Sequence, residues 1–531
     1  MNFNLSRLIF LFVIFSIGFA FTATNSNFSS PAFSLDTISK SKFKFEKQLS
    51  LSDSLVLDSL ISDSSVVKEI YFPESFSNIE GVSTFRGGPR RDRPSYGIIE
   101  ERPKSLKIKW SYSTGGDAKW GGGAGWTGQP CIIKWSDSVK NLMNIAPALK
   151  LDSAFKEVIL GSLDGKIYFL DLNSGKPSRP VINIRNPIKG TVSVDPRGWP
   201  LLYAGQGISN TGEFGVRIFN LIDQSRIFFV NGRDPFAYRA WAAFDGAPLY
   251  AEGKDILFLG GENGVVYSVQ LNSNLSFPDS SLISNLTILP KVDKYRYQFN
   301  TSQYQGIENS LVGYRDQLYF SDNNGFIQCL SANTLDPVWI ARNYDDTDAT
   351  LVLEEEDSIP FLYTGNEVDL QGAKGFTYIK KLNGIDGSTV WEAKYACLTI
   401  RGDHPVNGGM LSTPVIGKQN GRDLAIFSLS RYGGMNKGLL VALKKSSGEK
   451  AWEVMLDNYA WSSPLDIYDK HGNMYIFLAD SKGFVMLFDG LTGELIYKAK
   501  IAELFEASPA AFNNMIVIAS RPREIFCLEV E

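Results

Sequence analysis

Ten side chains in five loops have the types needed to hold a ligand: Trp120 and Trp126, Arg239 and Trp241, Glu308 and Asn309, Arg401, Asp403 and His404, and Trp461. The two tryptophans of the first loop sit in Gly115-Gly-Asp-Ala-Lys-Trp-Gly-Gly-Gly-Ala-Gly-Trp126, where glycines let backbone approach a ligand closely. Indole faces stack on flat groups, guanidinium groups pair with carboxylates, and amides bond hydroxyls. The set therefore suits a planar or sugar-like anion. It equally suits a protein or peptide partner, because Trp, Tyr and Arg dominate binding hot spots. A third reading makes these residues loop braces that plug a channel. Other chemistry is disfavoured. No Cys-x-x-Cys pair suggests zinc, and the glycine-rich loop lacks the Lys-Ser/Thr and helix of a phosphate loop. Asp322-Asn-Asn-Gly325 lacks the distal Glu of a calcium loop and reads as a hairpin turn.

These loops must be carried by a repeat. A small residue followed by Pro or an apolar residue recurs at Ala146-Pro147, Thr191-Val192, Ala247-Pro248, Ser310-Leu311, Thr350-Leu351, Thr413-Pro414, Ser463-Pro464 and Ser508-Pro509. The steps run from 40 to 63 residues, bracketing the period of a four-stranded propeller blade with loop insertions. Between the starts, apolar runs flank tight turns, as in Val158-Ile-Leu-Gly-Ser-Leu-Asp-Gly165-Lys-Ile-Tyr-Phe-Leu-Asp171. The expected fold is all-β: an eight-bladed propeller of four-stranded antiparallel blades, with seven blades as the alternative because the Thr191 and Thr350 units are weakest. The final strand, Ile525–Glu531, has no partner after it. Its expected partner is Leu106–Tyr112, which would close the ring and remove two sheet edges at once.

The third and fourth strands carry a signature. Asp171 to Gly175, Thr334 to Trp339, Asp386-Gly387 to Trp391, Ser447-Gly448 to Trp452 and Thr492-Gly493 to Tyr497 resemble the pyrroloquinoline-quinone-type (PQQ-like) propeller repeat, Ala-x-Asp-x-x-Thr-Gly-x-x-x-Trp. The resemblance covers most of residues 106–531 and includes Phe85-Arg-Gly as a lead-in. It implies the fold, with Trp110, Trp339, Trp391 and Trp452 wedged between blades. Function is less determined, because the repeat serves both quinoprotein dehydrogenases and non-enzymatic envelope scaffolds such as the outer-membrane assembly propeller. The enzymatic branch would imply PQQ and Ca²⁺ over the channel mouth, with Glu308 and Asn309 as ligand types for the ion and Asp403 as the base. This chain lacks an adjacent Cys-Cys pair and a Cys-x-x-Cys-His haem motif, so the non-catalytic branch is expected, with no cofactor. The four arginines of Phe85-Arg-Gly-Gly-Pro-Arg-Arg-Asp-Arg-Pro94 are expected to clamp the entering chain to acidic residues of the last blade, to stay solvated, or to form an anion site.

The remaining features give an address. A formal charge of −4 with no long basic run argues against nucleic acid. Residues 1–20 read as a secretory signal, with Arg7 ahead of a short apolar run that ends in Gly18-Phe-Ala20. Residues 21–80 read as a Ser/Asp-rich linker and residues 81–531 as the propeller. The expectation is an exported monomer, periplasmic or extracellular, without a membrane span once mature. Its role would be to bind a protein or peptide partner in the cell envelope. A quinoprotein oxidoreductase and a carbohydrate- or anion-binding protein are the alternatives.

Overall fold

The computed structural model describes residues 40–50, 72–73, 76–117, 119–125, 128–207, 212–251, 255–276, 285–402 and 405–531. The signal reading of residues 1–20 therefore lies outside the described residues, as does most of the Ser/Asp-rich linker read over residues 21–80.

The apolar runs fold into the hairpins their turns encode. Glu157–Gly161 pairs with Lys166–Asp171 across a turn whose Gly165 has φ +77°, a conformation glycine adopts without penalty. Gly264, Gly325 and Gly483 repeat this at +76°, +73° and +78°. Eight such sheets surround one axis. Their inner strands are Cys131–Lys134, Ser193–Val194, Leu249–Ala251, Val312–Tyr314, Val352–Glu356, Val415–Ile416, Leu465–Tyr468 and Ala510–Phe512. The blade count is thus eight.

Seven of the expected starts lead directly into these strands. Ala146-Pro147 does not: it opens a one-turn helix, Pro147–Lys150, within an insertion of the first blade. Small-residue-plus-Pro suits helix position N1 as well as a strand entry, so the pattern alone could not separate them. The first blade enters instead at Gly128-Gln-Pro-Cys131.

The small hydroxyl residues have a definite job. Around the axis, the backbone N–H that opens one inner strand donates to the hydroxyl that opens the next. Ala247 donates to Ser310 Oγ (2.9 Å), Ser310 to Thr350 Oγ1 (3.0 Å), and Thr350 to Thr413 Oγ1 (3.2 Å). Thr413 donates to Ser463 Oγ (3.0 Å) and Ser463 to Ser508 Oγ (3.3 Å). Ser508 N–H then meets Gly128 O (2.8 Å), and Gln129 N–H donates to Thr191 Oγ1 (2.9 Å). This belt satisfies buried amides that sheet pairing leaves free.

The lead-in segment completes the inner edges. Its carbonyls accept from Val194 (Ser83 O, 2.7 Å), Gly313 (Pro89 O, 2.9 Å), Leu353 (Arg90 O, 2.9 Å) and Ala511 (Pro94 O, 3.1 Å). Two buried guanidinium groups span the channel. Arg86 donates to Pro464 O and Pro414 O, each at 2.9 Å, while Arg91 donates to Leu311 O (2.9 Å) and Ala247 O (3.4 Å). Burial pulls Arg86 down to about 10 and Arg91 to about 9, leaving both charged at neutral pH. Arg90 pairs with Glu355 of the fifth blade. The expected clamp to the last blade is thus corrected: these arginines bind strand-entry carbonyls from opposite sides of the channel, because five fixed donors suit several carbonyls at once.

Glu524–Val530 pairs antiparallel with Leu106–Ser113, with Cys527 opposite Trp110, so the ring closes as expected. Inside the stretch read as linker, Phe43–Gln48 forms a fifth strand against Lys291–Phe299 of the third blade. Phe43 packs on Phe299 and Phe326, with ring centroids at 5.0 and 5.1 Å. No helix of the described residues is long and apolar enough to cross a membrane.

The signature tryptophans link successive blades. The indole N–H groups of Trp110, Trp339 and Trp391 donate to Leu172 O (2.8 Å), Gly384 O (2.9 Å) and Lys445 O (2.8 Å), while Trp452 reaches Gly490 O (3.2 Å). Each ring lies on the turn glycine of the next repeat. A Cβ at Gly448 would meet Trp391 at 2.8 Å, and one at Gly387 would meet Trp339 at 2.5 Å. With φ +73° at Gly448 as well, Gly448→Ala is expected to destabilise by about 2 kcal/mol through combined strain and overpacking. Urea unfolding checks this; an unchanged midpoint would show that the indole gives way freely.

Candidate functional site

At the mouth of the channel, one residue stands two positions before each of seven strand starts. In order around the ring they are Lys189, Asp245, Glu308, Asp348, Leu411, Trp461 and Glu506. Asp245, Glu308, Asp348 and Leu411 line a common cavity of about 10 Å³. Neighbouring loops add Glu262, Asp346 and Glu367. The carboxylates form two clusters, Asp245–Glu262–Glu308 and Asp346–Asp348–Glu367, each with its oxygens within 4.8 Å of one another. Asn323 bridges them, donating to Glu308 Oε1 (2.8 Å) and Asp346 Oδ2 (3.2 Å).

The two clusters differ in charge balance. Lys189 forms an ion pair with Asp245, and Arg239 stands beside the first cluster, donating to Glu262 O at 3.1 Å. None of Asp346, Asp348 and Glu367 makes an ion pair among the described residues. Burial, then the Glu308 and Asp245 charges, raises the Glu262 carboxyl well above its ordinary value. Burial followed by Asp348 does the same to Asp346, and burial followed by Glu367 to Asp348. Glu367 is raised by burial and by Asp346. Lys189 rises despite its burial, because Asp245, Glu262 and Glu308 stabilise its charge.

Beside this mouth lies a groove of about 920 Å³, lined by Arg239, Trp241, Phe299 to Gln303 and Tyr304. Trp241 is 43% exposed and Tyr304 73% exposed. The Trp241 indole N–H is fixed by Glu262, so the ring presents a held apolar face. Arg239, Trp241 and Glu308, three of the residues expected from sequence, thus stand together.

The other expected residues are placed differently. Asn309 is turned inward, its amide bonded to Ser321 O and Thr347 O at 2.9 Å each. Arg401 is exposed and grips Asp369. Trp461 bonds Asn407 O at 3.3 Å and packs on Tyr459. Trp120 lies beneath Lys119, on a loop seated against Ser520 to Arg523. Trp126, Asp403 and His404 lie outside the described residues. Sequence reasoning missed Lys189, Asp245, Glu262, Asp346, Asp348 and Glu367. For Lys189, Asp245 and Asp348 the signal was present, two places before Thr191, Ala247 and Thr350. Glu262 and Glu367 had none, because their loops meet the mouth only in three dimensions.

No family model matches the sequence. No curated protein matches it either. Solved structures do. The quinohaemoprotein alcohol dehydrogenase ADHIIG of Pseudomonas putida HK5 superposes with a TM-score of 0.57 at 12% identity, covering 85% of this chain and 80% of that one. Quinohaemoprotein alcohol dehydrogenase of Comamonas testosteroni gives 0.57 at 10% identity with the same coverage. BamB of Moraxella catarrhalis gives 0.48 at 15%, covering 80% and 98%. At these identities the likeness to the two quinohaemoprotein structures is one of fold alone, the β-propeller.

The mouth makes a pH prediction. Unfolded, its carboxyls release protons near pH 4; folded, Glu262, Asp346, Asp348 and Glu367 retain them to higher pH. The folded state then binds more protons, so the mouth's contribution is fullest below about pH 4 and falls as pH rises. With chelator present, the Asp348→Asn/Glu367→Gln variant should show a flatter decline of Tm from pH 5 to pH 7 than the parent. A steeper decline in the variant would reverse the assignment.

Proposed function

We propose that this chain is an exported, non-catalytic binding propeller that engages a protein or peptide partner at the channel mouth. The observation that carries this reading is the groove of about 920 Å³ beside the mouth, where Trp241 and Tyr304 are exposed on loops held by rigid strands. Large exposed aromatics next to a guanidinium are the residue types that anchor interfaces. Arg239 and the adjacent carboxylates supply both charge signs for orientation. Export, an envelope location and a monomeric state belong to the same proposal.

The test places a photo-crosslinking residue at Trp241, at Tyr304 and, as a control, at Ile385 on the outer rim, in the full chain within its own cells. One partner captured from both groove positions and not from Ile385 is the expected result. Capture at Tyr304 should fall at least fivefold in Trp241→Ala. Undiminished capture in that variant would overturn the assignment of the face.

A second reading draws on the first carboxylate cluster. Asp245, Glu262 and Glu308 supply oxygen donors for a calcium ion, and Trp241 offers a flat face on which a quinone could rest. Bound there, a quinone would supply the two-electron chemistry of alcohol oxidation. The chain's own contribution would be the cation donors and the indole. Thermal denaturation with Ca²⁺ alone and with Ca²⁺ plus PQQ separates the readings. A further rise with PQQ supports the oxidoreductase; no further rise at saturating quinone removes it.

A further inference from the structure

The added strand of the third blade, Phe43–Gln48, touches both walls of the groove beside the mouth. We propose that this strand is a docking brace, that Phe43 and Glu46 are its positioning residues, and that the groove takes its binding shape only while the strand is docked. This rests on the groove being the partner's site, and it places control of that site in the N-terminal segment.

The first wall is the loop that carries Arg239 and Trp241. Glu46 accepts from Arg296 Nε at 2.6 Å and from its Nη2 as well. A guanidinium holds its donors in one plane, so fixing two of them on a carboxylate also aims the third nitrogen. That nitrogen, Nη1, donates to Phe236 O, and the guanidinium lies over the rings of Phe236 (4.4 Å) and Tyr238 (4.0 Å). Lys44 pairs with Glu46 at 2.5 Å and stands 5.5 Å from the centre of the Tyr238 ring. Arg239, Ala240 and Trp241 follow Tyr238 directly and line the groove.

The second wall begins at Phe299. Phe43 lies opposite it in the ladder, and the Phe43 ring packs on Phe299 and on Phe326 of the fourth blade. Where the wall leaves the sheet, Asn300 N–H donates to Lys42 O at 3.4 Å. The outer strands of the fourth, fifth and sixth blades each carry a tryptophan that reaches the next blade; Lys291–Phe299 of the third has none. Phe43 supplies the missing ring at that joint. Lys47 adds a second tie to the fourth blade through Asp336 (2.7 Å) and Thr334 O (3.2 Å).

The brace can also let go. Of its six residues only Phe43 is buried, whereas all five of Ile256–Gly260 in the same sheet are. Elements with so little buried surface open at low free energy. Without it the third blade keeps four strands, like its neighbours.

Amide hydrogen exchange, read by mass spectrometry on the full chain, tests this without any partner. In Phe43→Ala/Glu46→Gln the amides of residues 43–48 should exchange about tenfold faster, and those of 236–241 and 299–304 about threefold faster. Glu46→Gln alone should loosen 236–241 more than 299–304, and Phe43→Ala the reverse. Residues 424–430 of the sixth blade should keep the parent's rates, and equal acceleration there would overturn the inference by showing general destabilisation. Fast exchange at 43–48 with unchanged rates at 236–241 and 299–304 would overturn it too, because the strand would then leave without loosening the groove. Unchanged rates throughout would remove Phe43 and Glu46 from the role. Partner capture at Trp241 in the double variant answers a separate question: loosened walls with undiminished capture would refute the groove as the partner's site and leave the brace standing.

Discussion

The structure depends on how the inner strands of eight sheets are satisfied where they crowd the axis. Strands at a sheet edge present unpaired amides and carbonyls, and burying them unpaired is prohibitive. Two devices solve this together. Hydroxyls of Thr191, Ser310, Thr350, Thr413, Ser463 and Ser508 each accept an amide from the preceding blade. The segment from Ser83 to Pro94 meets further inner-strand amides with its carbonyls, while Arg86 and Arg91 meet the strand-entry carbonyls. The lead-in segment and its two guanidinium groups thus occupy the channel where the inner strands begin.

That rigidity is passed outward by the tryptophans. Each indole donates to a carbonyl of the adjacent repeat and lies against a turn glycine there. Blades so linked hold their loop bases in fixed relation, which is why carboxylates from separate blades can stand together at the mouth. Bringing like charges into a low-dielectric site opposes folding unless protons or a cation compensate. Such a mouth is thus electrostatically loaded on one side, from Asp245 to Glu367, and neutral on the Leu411–Trp461 side.

Much of the fold was legible because propeller repeats encode local contacts. Asp-Gly and Asn-Gly turns, the Gly-to-Trp spacing and the recurring small hydroxyl each report an interaction within a blade or with its immediate neighbour. The failures occurred where a motif has two local solutions or a distant partner. Ala146-Pro147 opens a helix, although the same pair could open a strand. Phe43–Gln48 finds its partner some 250 residues away in Lys291–Phe299, and nothing near it in the chain announces that pairing.

The candidate site divides along the same line. Loop aromatics and arginines could be chosen by residue type, and Arg239, Trp241 and Glu308 do meet. Asn309 has the right chemistry and the wrong direction, since its amide is consumed by two carbonyls. The sequence by itself determined the repeat and the positions of the interblade tryptophans, which depend on short-range spacing, and the closing strand, which the unpaired last strand demanded; eight blades rather than seven was settled by the structure. Only the tertiary structure decided which carboxylates face one another and which are balanced by Lys189 and Arg239. Charge interactions depend on separation through space, and closure of the ring sets that separation.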